Sequence, residues 1–253
     1  MKWAGDRIAQ RATRLLTGLA LYGISTALLV RAGLGTDPWT VLTQGIARTT
    51  GLTLGAVVVL ISAGVFLLWL PLRQRPGIGT LANAVLVGPA LDQALRVLPT
   101  PQPWPYRLLF LAAGLIGTAV ATGLYVGAGW GPGPRDGLMT ALARRGLSIR
   151  LARTLVEASA LASGWLLGGT AGIGTAVYAI GIGPLVGFFL PRLALQPNEP
   201  AKPPHDGHAP ASRHRVLEGR LIRPADRFSG GPRRGAGGVV GRYRTHRRRH
   251  QER

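Results

Sequence analysis

The stretch Gly77-Ile78-Gly79-Thr80 occurs twice in this chain, because the same four residue types return as Gly172-Ile173-Gly174-Thr175. Each copy is followed by a glycine-proline pair, Gly88-Pro89 in the first half and Gly183-Pro184 in the second, so both matches share an offset of 95 residues. A glycine-rich phrase earlier in each half matches at an offset of 96 residues. Since threonine and proline repeat in the same register as glycine, the chain contains an internal duplication with one residue of slippage.

Composition and charge placement indicate a membrane protein. Apolar residues make up 47% of the 253 residues and charged residues only 16%. The charges leave long neutral windows, with 24 residues from Thr49 to Leu72, 27 from Leu108 to Pro134 and 34 from Ala158 to Pro191. Because about 20 apolar residues suffice to cross the hydrocarbon core, these windows predict several crossings. The chain has no cysteine, which excludes disulfides and thiolate ligands.

The apolar segments predict an all-α fold with about six transmembrane helices, arranged as two inverted repeats of three. The segments are 15–30, 52–70, 76–91, 106–126, 150–168 and 174–190. Three crossings per repeat is an odd number, so the second copy must have the opposite orientation in the membrane. We assign residues 1–99 to the first repeat and 100–192 to the second, which begins with the proline-rich link Thr100 to Pro105.

A short interfacial helix is predicted after the first and the fourth crossing. Asp37 followed by Pro38 has the chemistry of a helix start, because the carboxylate accepts from unpaired N–H groups and proline suits the first helical position. The matching loop of the second half contains Arg135 and Asp136. Trp39 and Trp130 are expected at the depth of the lipid head groups.

The distribution of basic residues predicts that both termini are cytoplasmic, in a bacterial inner membrane. With this orientation, 12 lysines and arginines of the membrane part lie inside and only four lie outside, as the positive-inside rule requires. The four outer residues are Arg31, Arg48, Arg96 and Arg107.

The C-terminal stretch 193–253 is predicted to be a disordered basic tail. Residues 197–253 hold 14 basic and 5 acidic residues and are rich in proline and glycine, so they cannot bury enough apolar surface to fold. The arginine cluster at its end is expected to contact anionic lipid head groups. It lacks the aromatic series that would stack on bases, so no specific nucleic-acid partner is expected. The sequence leaves open whether the chain forms a homo-oligomer.

Four ordered phrases resemble those of the YczE/YyaS/YitT-type family of bacterial integral membrane proteins. They are Ala32 to Trp39, Gly77 to Thr80, Gly133 to Met139 and Leu166 to Thr175, and the resemblance covers about residues 12–192. It implies a membrane location and the order of the repeats. The family has no established biochemical activity to carry over, so the resemblance adds little about mechanism.

The repeated glycine-proline pairs are the main candidate for a substrate site. Gly88-Pro89 and Gly183-Pro184 are expected to unwind a turn of the third and sixth crossings. Broken helices at matching places in inverted halves are typical of transporter binding sites. Asn83 and Glu157 are expected to border the same site. The alternative interpretation is that both helices are kinked and pack closely through glycine.

Four loop residues are candidates for gates on the two faces of the membrane: Asp37, Trp39, Arg135 and Asp136. The simpler interpretation of the two aspartates is that they cap helices. Arg135 takes the place of Trp39 in the second copy. It is expected either to attract an anionic group or to follow the positive-inside bias.

Two acids remain to be interpreted. Glu157 falls inside a crossing, where a carboxylate is a functional candidate for a proton or a cation. Arg153 lies one turn earlier, however, and predicts a structural ion pair instead. Asp92 is expected to pair with Arg96 at the outer end of the third crossing.

The sequence favours a transporter or permease for a small solute or ion. A membrane scaffold or accessory protein, which acts through protein partners and transports nothing, is the alternative. No enzyme motif, cofactor motif or metal-ligand cluster is present in the membrane part, so no enzymatic activity, cofactor or metal is expected. A polar internal cavity would distinguish the first function from the second, because a scaffold would fill that space with side chains.

Overall fold

The computed structural model describes residues 2–195, with side chains from residue 7 onward, and these residues form eight helices. The helices are α1 (Lys2–Ala32), α2 (Pro38–Thr50), α3 (Leu54–Leu72), α4 (Ile78–Val97), α5 (Trp104–Gly127), α6 (Pro134–Ala143), α7 (Ile149–Leu166) and α8 (Ile173–Leu193). The all-helical prediction is therefore confirmed. Most of the predicted tail, 193–253, lies outside the described residues.

Five helices are long and apolar enough to cross a membrane, namely α1, α3, α4, α5 and α8. They coincide with five of the six predicted crossings. The remaining one, α7, forms at the predicted place, but Arg150, Arg153 and Glu157 give it a more polar composition. The protein is thus a multi-pass membrane protein.

The two halves of the chain interlock around a central pair of helices. α1 and α5 make the most extensive contact in the bundle, α4 packs on α1, and α8 packs on α5. The short helices reach across to the other half, because α2 packs on α7 and α6 packs on α3. Each half therefore supplies part of the other half's core.

The helices α4 and α8 are continuous through their glycine-proline pairs, so the expected unwound turns are wrong. A proline removes one backbone hydrogen bond and places its ring beside the preceding turn. Pro89 and Pro184 both lie on exposed faces of their helices, so their rings do not displace a neighbouring helix. The lost bond is then accommodated without breaking either helix.

The short helices α2 and α6 form at the predicted places, after the first and the fourth predicted crossing, and each buries one face inside the bundle. Val41 and Gly45 of α2 and Leu138 and Met139 of α6 are buried. Trp39 packs against a cluster that joins α3 to α6. The apolar side of each short helix therefore packs against neighbouring helices, and its depth in the membrane stays a prediction.

The repeated Gly-Ile-Gly-Thr phrases join the two halves. The amide of Gly79 donates to the carbonyl of Trp130 at 2.8 Å, and the amide of Gly174 donates to the carbonyl of Leu34 at 2.7 Å. A Cβ atom on Gly174 would lie 2.5 Å from a carbonyl oxygen of the facing loop, so only glycine permits this approach. The threonine of each phrase accepts from the amide three residues earlier. The phrase thus docks the last helix of each half on the glycine-rich loop of the other.

Arginine side chains cap the C-terminal ends of several helices. Arg107 donates to the carbonyls of Ala32 and Gly33 at the end of α1, at 2.8 and 2.7 Å. The other such donors are Arg14 to Leu193, Arg31 to Leu95, Arg48 to Gly168 and Arg145 to Pro71. Carbonyl groups at helix ends lack a partner in their own helix, so these cations stabilise the ends. Three of the four arginines predicted on the outer side serve this role.

The helices α3 and α4 pack closely, whereas the matching helices α7 and α8 have no extended contact within the described residues. A Cβ atom on Gly88 would lie 2.3 Å from the carbonyl oxygen of Gly55, which indicates direct backbone contact. Asp92 reinforces this contact, because its carboxylate accepts from the Thr53 hydroxyl at 2.6 Å and the Gly55 amide at 2.7 Å. Asp92 therefore binds the start of α3, whereas a pair with Arg96 was expected.

Candidate functional site

A cavity of about 340 Å³ lies inside the bundle, and residues from all eight helices line it. This volume falls in the range of sites that bind small molecules. Six of the ten residues predicted for a site or gate line it, namely Asp37, Trp39, Asn83, Arg135, Asp136 and Gly183. The cavity is the candidate functional site because it gathers these residues from both halves of the sequence.

Arg135 lies between two carboxylates on the cavity wall. Its Nη1 is 3.7 Å from Oδ1 of Asp37, and its Nε is 3.8 Å from Oδ1 of Asp136. Both distances exceed a hydrogen bond. An arginine side chain is charged at every physiological pH and carries five N–H donors. The guanidinium therefore has donors to offer to a bound molecule, and about a fifth of it is exposed.

Asp37 is the N-cap of α2, as predicted. Its Oδ1 accepts from the amides of Trp39 at 3.1 Å and Thr40 at 3.3 Å, and its Oδ2 accepts from the Thr40 hydroxyl. These bonds fix the carboxylate while it remains beside Arg135. Asp37 therefore holds the start of α2 and positions the arginine.

Asp136 is less constrained than Asp37. The N-cap of α6 is Gly133, so the prediction that Asp136 caps the helix is wrong. Asp136 instead lies in the first turn, where Tyr125 donates a hydroxyl hydrogen bond of 3.3 Å to its Oδ2. Its side chain is 39% exposed, against 7% for Asp37, so it is the more accessible carboxylate of the pair.

Three tyrosines add aromatic surface to the cavity wall. Tyr22, Tyr125 and Tyr178 line it from α1, α5 and α8. The rings of Tyr22 and Tyr125 meet edge to face, with their centroids 6.1 Å apart. Apolar side chains of α3 and α8 cover another part of the wall, including Ile61, Val65, Ile182, Val186 and Leu190. The cavity thus combines charged, aromatic and aliphatic surfaces.

The other four candidate residues lie away from the cavity lining. Gly88 is buried against α3, and Pro89 and Pro184 are exposed. Glu157 accepts from Nε of Arg153 at 3.3 Å, as the predicted ion pair requires. Arg153 itself lines the cavity, so this pair stands at its rim. The two glycine-proline pairs do not form one site, because Gly183 borders the cavity and Gly88 does not.

Sequence reasoning missed the tyrosines and the polar face of α2. Thr40 and Thr43 of α2 also line the cavity. The available signal was a polar or aromatic residue in the middle of an apolar helix, but such a residue faces lipid or protein equally well by sequence. Within residues 7–195, no group of three or more histidines or acids is arranged to hold a metal ion.

Comparisons with known proteins agree with the membrane architecture. The profile of a family of unknown function (DUF6198) matches residues 9–191. An uncharacterised protein of Haemophilus influenzae is 41% identical over 187 residues, which cover 74% of this chain and 86% of that protein. The uncharacterised membrane protein YczE of Bacillus subtilis is 31% identical over 190 residues, which cover 74% of this chain and 88% of YczE. The uncharacterised protein YyaS of the same organism is 30% identical over 181 residues, which cover 69% of this chain and 89% of YyaS. No solved structure matches the chain.

Proposed function

The chain belongs to the YczE-type membrane protein family described as a family of unknown function (DUF6198), and we propose that it is a transporter or permease for a small solute. The observation that carries the proposal is the cavity of about 340 Å³ inside a bundle of apolar helices. Charged residues in such surroundings are costly and usually belong to a solute or ion pathway. Arg135 and its two aspartates are such residues.

The proposed architecture has six crossings in two inverted repeats, with α7 as the crossing of more polar composition. Its support is the matched packing of the halves, since α4 on α1 resembles α8 on α5 and α2 on α7 resembles α6 on α3. The ion pair of Arg153 with Glu157 lowers the cost of charge in α7. Both termini are proposed to be cytoplasmic, in a bacterial inner membrane, because the basic residues favour that side.

The alternative function is a scaffold that acts through protein partners. A scaffold needs a packed interior and gains nothing from a chamber lined by Arg135, Asp136 and Asn83. The lining therefore favours the transporter over the scaffold.

A single cysteine at Ser62 tests the transport proposal, because the chain has no cysteine of its own. Ser62 is 8% exposed and lines the cavity, and cysteine is close to serine in size. A transporter must open its site to water on each side in turn. We expect a charged, water-soluble thiol reagent to label Ser62→Cys from the outer side in intact cells and from the inner side in inverted vesicles.

Two further cysteine variants control this experiment. Gly64→Cys lies in an open, exposed position on α3 and should react poorly with a water-soluble reagent, because it faces lipid. Gln102→Cys lies in the exposed link between the halves and should react only from the outer side. Labelling of Ser62→Cys from one side only, or from neither, would contradict transport by alternating access.

A further inference from the structure

The residues that join α3 to α4 have no equivalent in the second half. At the offset of 95 residues, Gly55 corresponds to Arg150 and Asp92 corresponds to Gly187. An arginine cannot occupy the place of a glycine that touches a carbonyl oxygen, and a glycine offers no carboxylate for the next helix. The sequence therefore explains why α7 and α8 lack the close contact that α3 and α4 make.

Gly183 stands where the cavity meets the outside of the bundle. It lines the cavity together with Tyr178 and Ile182, whereas its neighbours Ile180 and Pro184 are exposed. Nothing lies within 4 Å of a Cβ atom built on Gly183. No other part of the described chain therefore packs against α8 at Gly183.

Arg153 of α7 is a second residue that both lines the cavity and is exposed. The exposed fraction of its side chain is 49%. Its ion pair partner Glu157 is 24% exposed. Arg153 and Gly183 thus line the same cavity from two helices that make no extended contact with each other within the described residues.

The charges inside the cavity fit a ligand that carries both signs. Arg135 offers unused N–H donors to an anionic oxygen group, and an arginine fork suits phosphate and carboxylate. Two carboxylates stand beside Arg135, whereas the second lining cation, Arg153, is paired with Glu157, so an anion alone would meet net negative charge at the Arg135 cluster. Asp136, the more exposed of them, can accept a cationic group. The faces of Tyr22, Tyr125 and Tyr178 add cation–π attraction for the same group.

Resting on the proposed transport function, we propose that the substrate is an amphipathic molecule with a zwitterionic head group, and that it enters the cavity from the bilayer between α7 and α8. The phosphate or carboxylate of the head group binds Arg135. The cationic group binds beside Asp136 and the tyrosines. The apolar part lies against the aliphatic side chains of α3 and α8, among them Ile61, Val65 and Val186.

The test uses the full-length Ser62→Cys protein in nanodiscs of phosphatidylglycerol, a lipid without a cationic head group. The rate at which the cysteine reacts with a small thiol reagent is measured with four added probes. Dodecylphosphocholine has the zwitterion and the chain, dodecyl phosphate lacks the cation, dodecyltrimethylammonium lacks the anion, and phosphocholine lacks the chain. We expect dodecylphosphocholine to protect the cysteine at a lower concentration than the other three.

Two sets of variants test whether Arg135 binds the head group and whether the probe enters between α7 and α8. Arg135→Gln should raise the half-protecting concentration of dodecylphosphocholine by about tenfold to a hundredfold, the range for hydrogen bonds to a charged group. Arg135→Lys keeps the charge, so its half-protecting concentration should lie between those of the parent and Arg135→Gln. Gly183→Phe should slow the onset of protection, whereas Gly187→Phe, one turn along the exposed side, should not. Nothing lies within 4 Å of a Cβ atom on either glycine and both positions are exposed, so the two variants should have similar thermal unfolding midpoints.

The outcomes separate this proposal from the transport function. Equal protection by phosphocholine and dodecylphosphocholine would show an aqueous source and overturn entry from the bilayer. Equal slowing by Gly183→Phe and Gly187→Phe would also overturn the route between α7 and α8. Protection by none of the four probes, with labelling of Ser62→Cys still seen from both sides, would overturn the substrate class and leave the transport function standing.

Discussion

The helix pairs α3–α4 and α7–α8 occupy matching places in the two halves of the chain, yet only α3 and α4 pack closely against each other. Gly55 and Gly88 bring the backbones of α3 and α4 into contact, and Asp92 binds the start of α3. In α7 and α8 the matching positions hold Arg150 and Gly187, and no such contact forms. The two halves therefore share the phrases that join them, whereas the second half lacks the close helix contact of the first. Gly183, the counterpart of Gly88, instead lines the cavity and is exposed.

The largest difference in stability between the two helix pairs is expected when a methyl group is added to Gly88 or to its counterpart Gly183. In Gly88→Ala the new Cβ atom would lie 2.3 Å from the Gly55 carbonyl oxygen, so α3 and α4 must separate. We expect a loss of about 1 to 3 kcal/mol in the free energy of unfolding, as for other overpacked sites. Thermal or denaturant unfolding of the purified protein in detergent measures it.

Gly183→Ala is the matched control for that variant. Nothing lies within 4 Å of its new Cβ atom, so the free energy of unfolding should stay within about 0.5 kcal/mol of the parent. Similar destabilisation by both variants would show that α7 and α8 are packed as closely as α3 and α4.

A smaller difference is expected between the two acids of these helix pairs. Asp92→Asn weakens the bonds from the Thr53 hydroxyl and the Gly55 amide, at a cost of about 1 kcal/mol. Glu157→Gln removes only a partly exposed pair with Arg153, which contributes about 0.3 to 0.5 kcal/mol. Unfolding midpoints of both variants check the order. A greater loss from Glu157→Gln would mean that α7 depends on this carboxylate for its packing.

The sequence predicted the positions of the helices and the repeated glycines, but not the different packing around those glycines. The uncharged windows and the repeat located a helix at each of the six predicted places, five of them long and apolar enough to cross a membrane, because hydropathy depends on single residues and their neighbours along the chain. Gly88 and Gly183 are equivalent in the repeat, so the sequence could not show that their surroundings differ. The surroundings depend on Gly55 and Arg150, which lie on other helices. For the same reason Arg135 was identified as a candidate, whereas the tyrosines that share its cavity were not.

The smallest effect is expected from the C-terminal stretch. Truncation after Gln196 removes residues 197–253, whose high charge and proline content give them little apolar surface to bury. Expression and the thermal unfolding midpoint should change little, and so should the contrast between Gly88→Ala and Gly183→Ala. A large loss of stability would show that the tail contributes to the packing of the membrane part.

Because α7 and α8 lack the backbone contact that joins α3 to α4, the proposed entry between them requires that their separation can change while that of α3 and α4 stays fixed. Nitroxide labels at Ala63→Cys with Val85→Cys, and at Ala158→Cys with Ile180→Cys, occupy matching positions in the two halves. All four side chains are exposed. Pulsed electron resonance in nanodiscs should give a narrow distance distribution for the first pair, unchanged by dodecylphosphocholine. The second pair should give a broader distribution that shifts when the probe is added. Two narrow distributions that ignore the probe, or a shift confined to the first pair, would contradict the proposed entry.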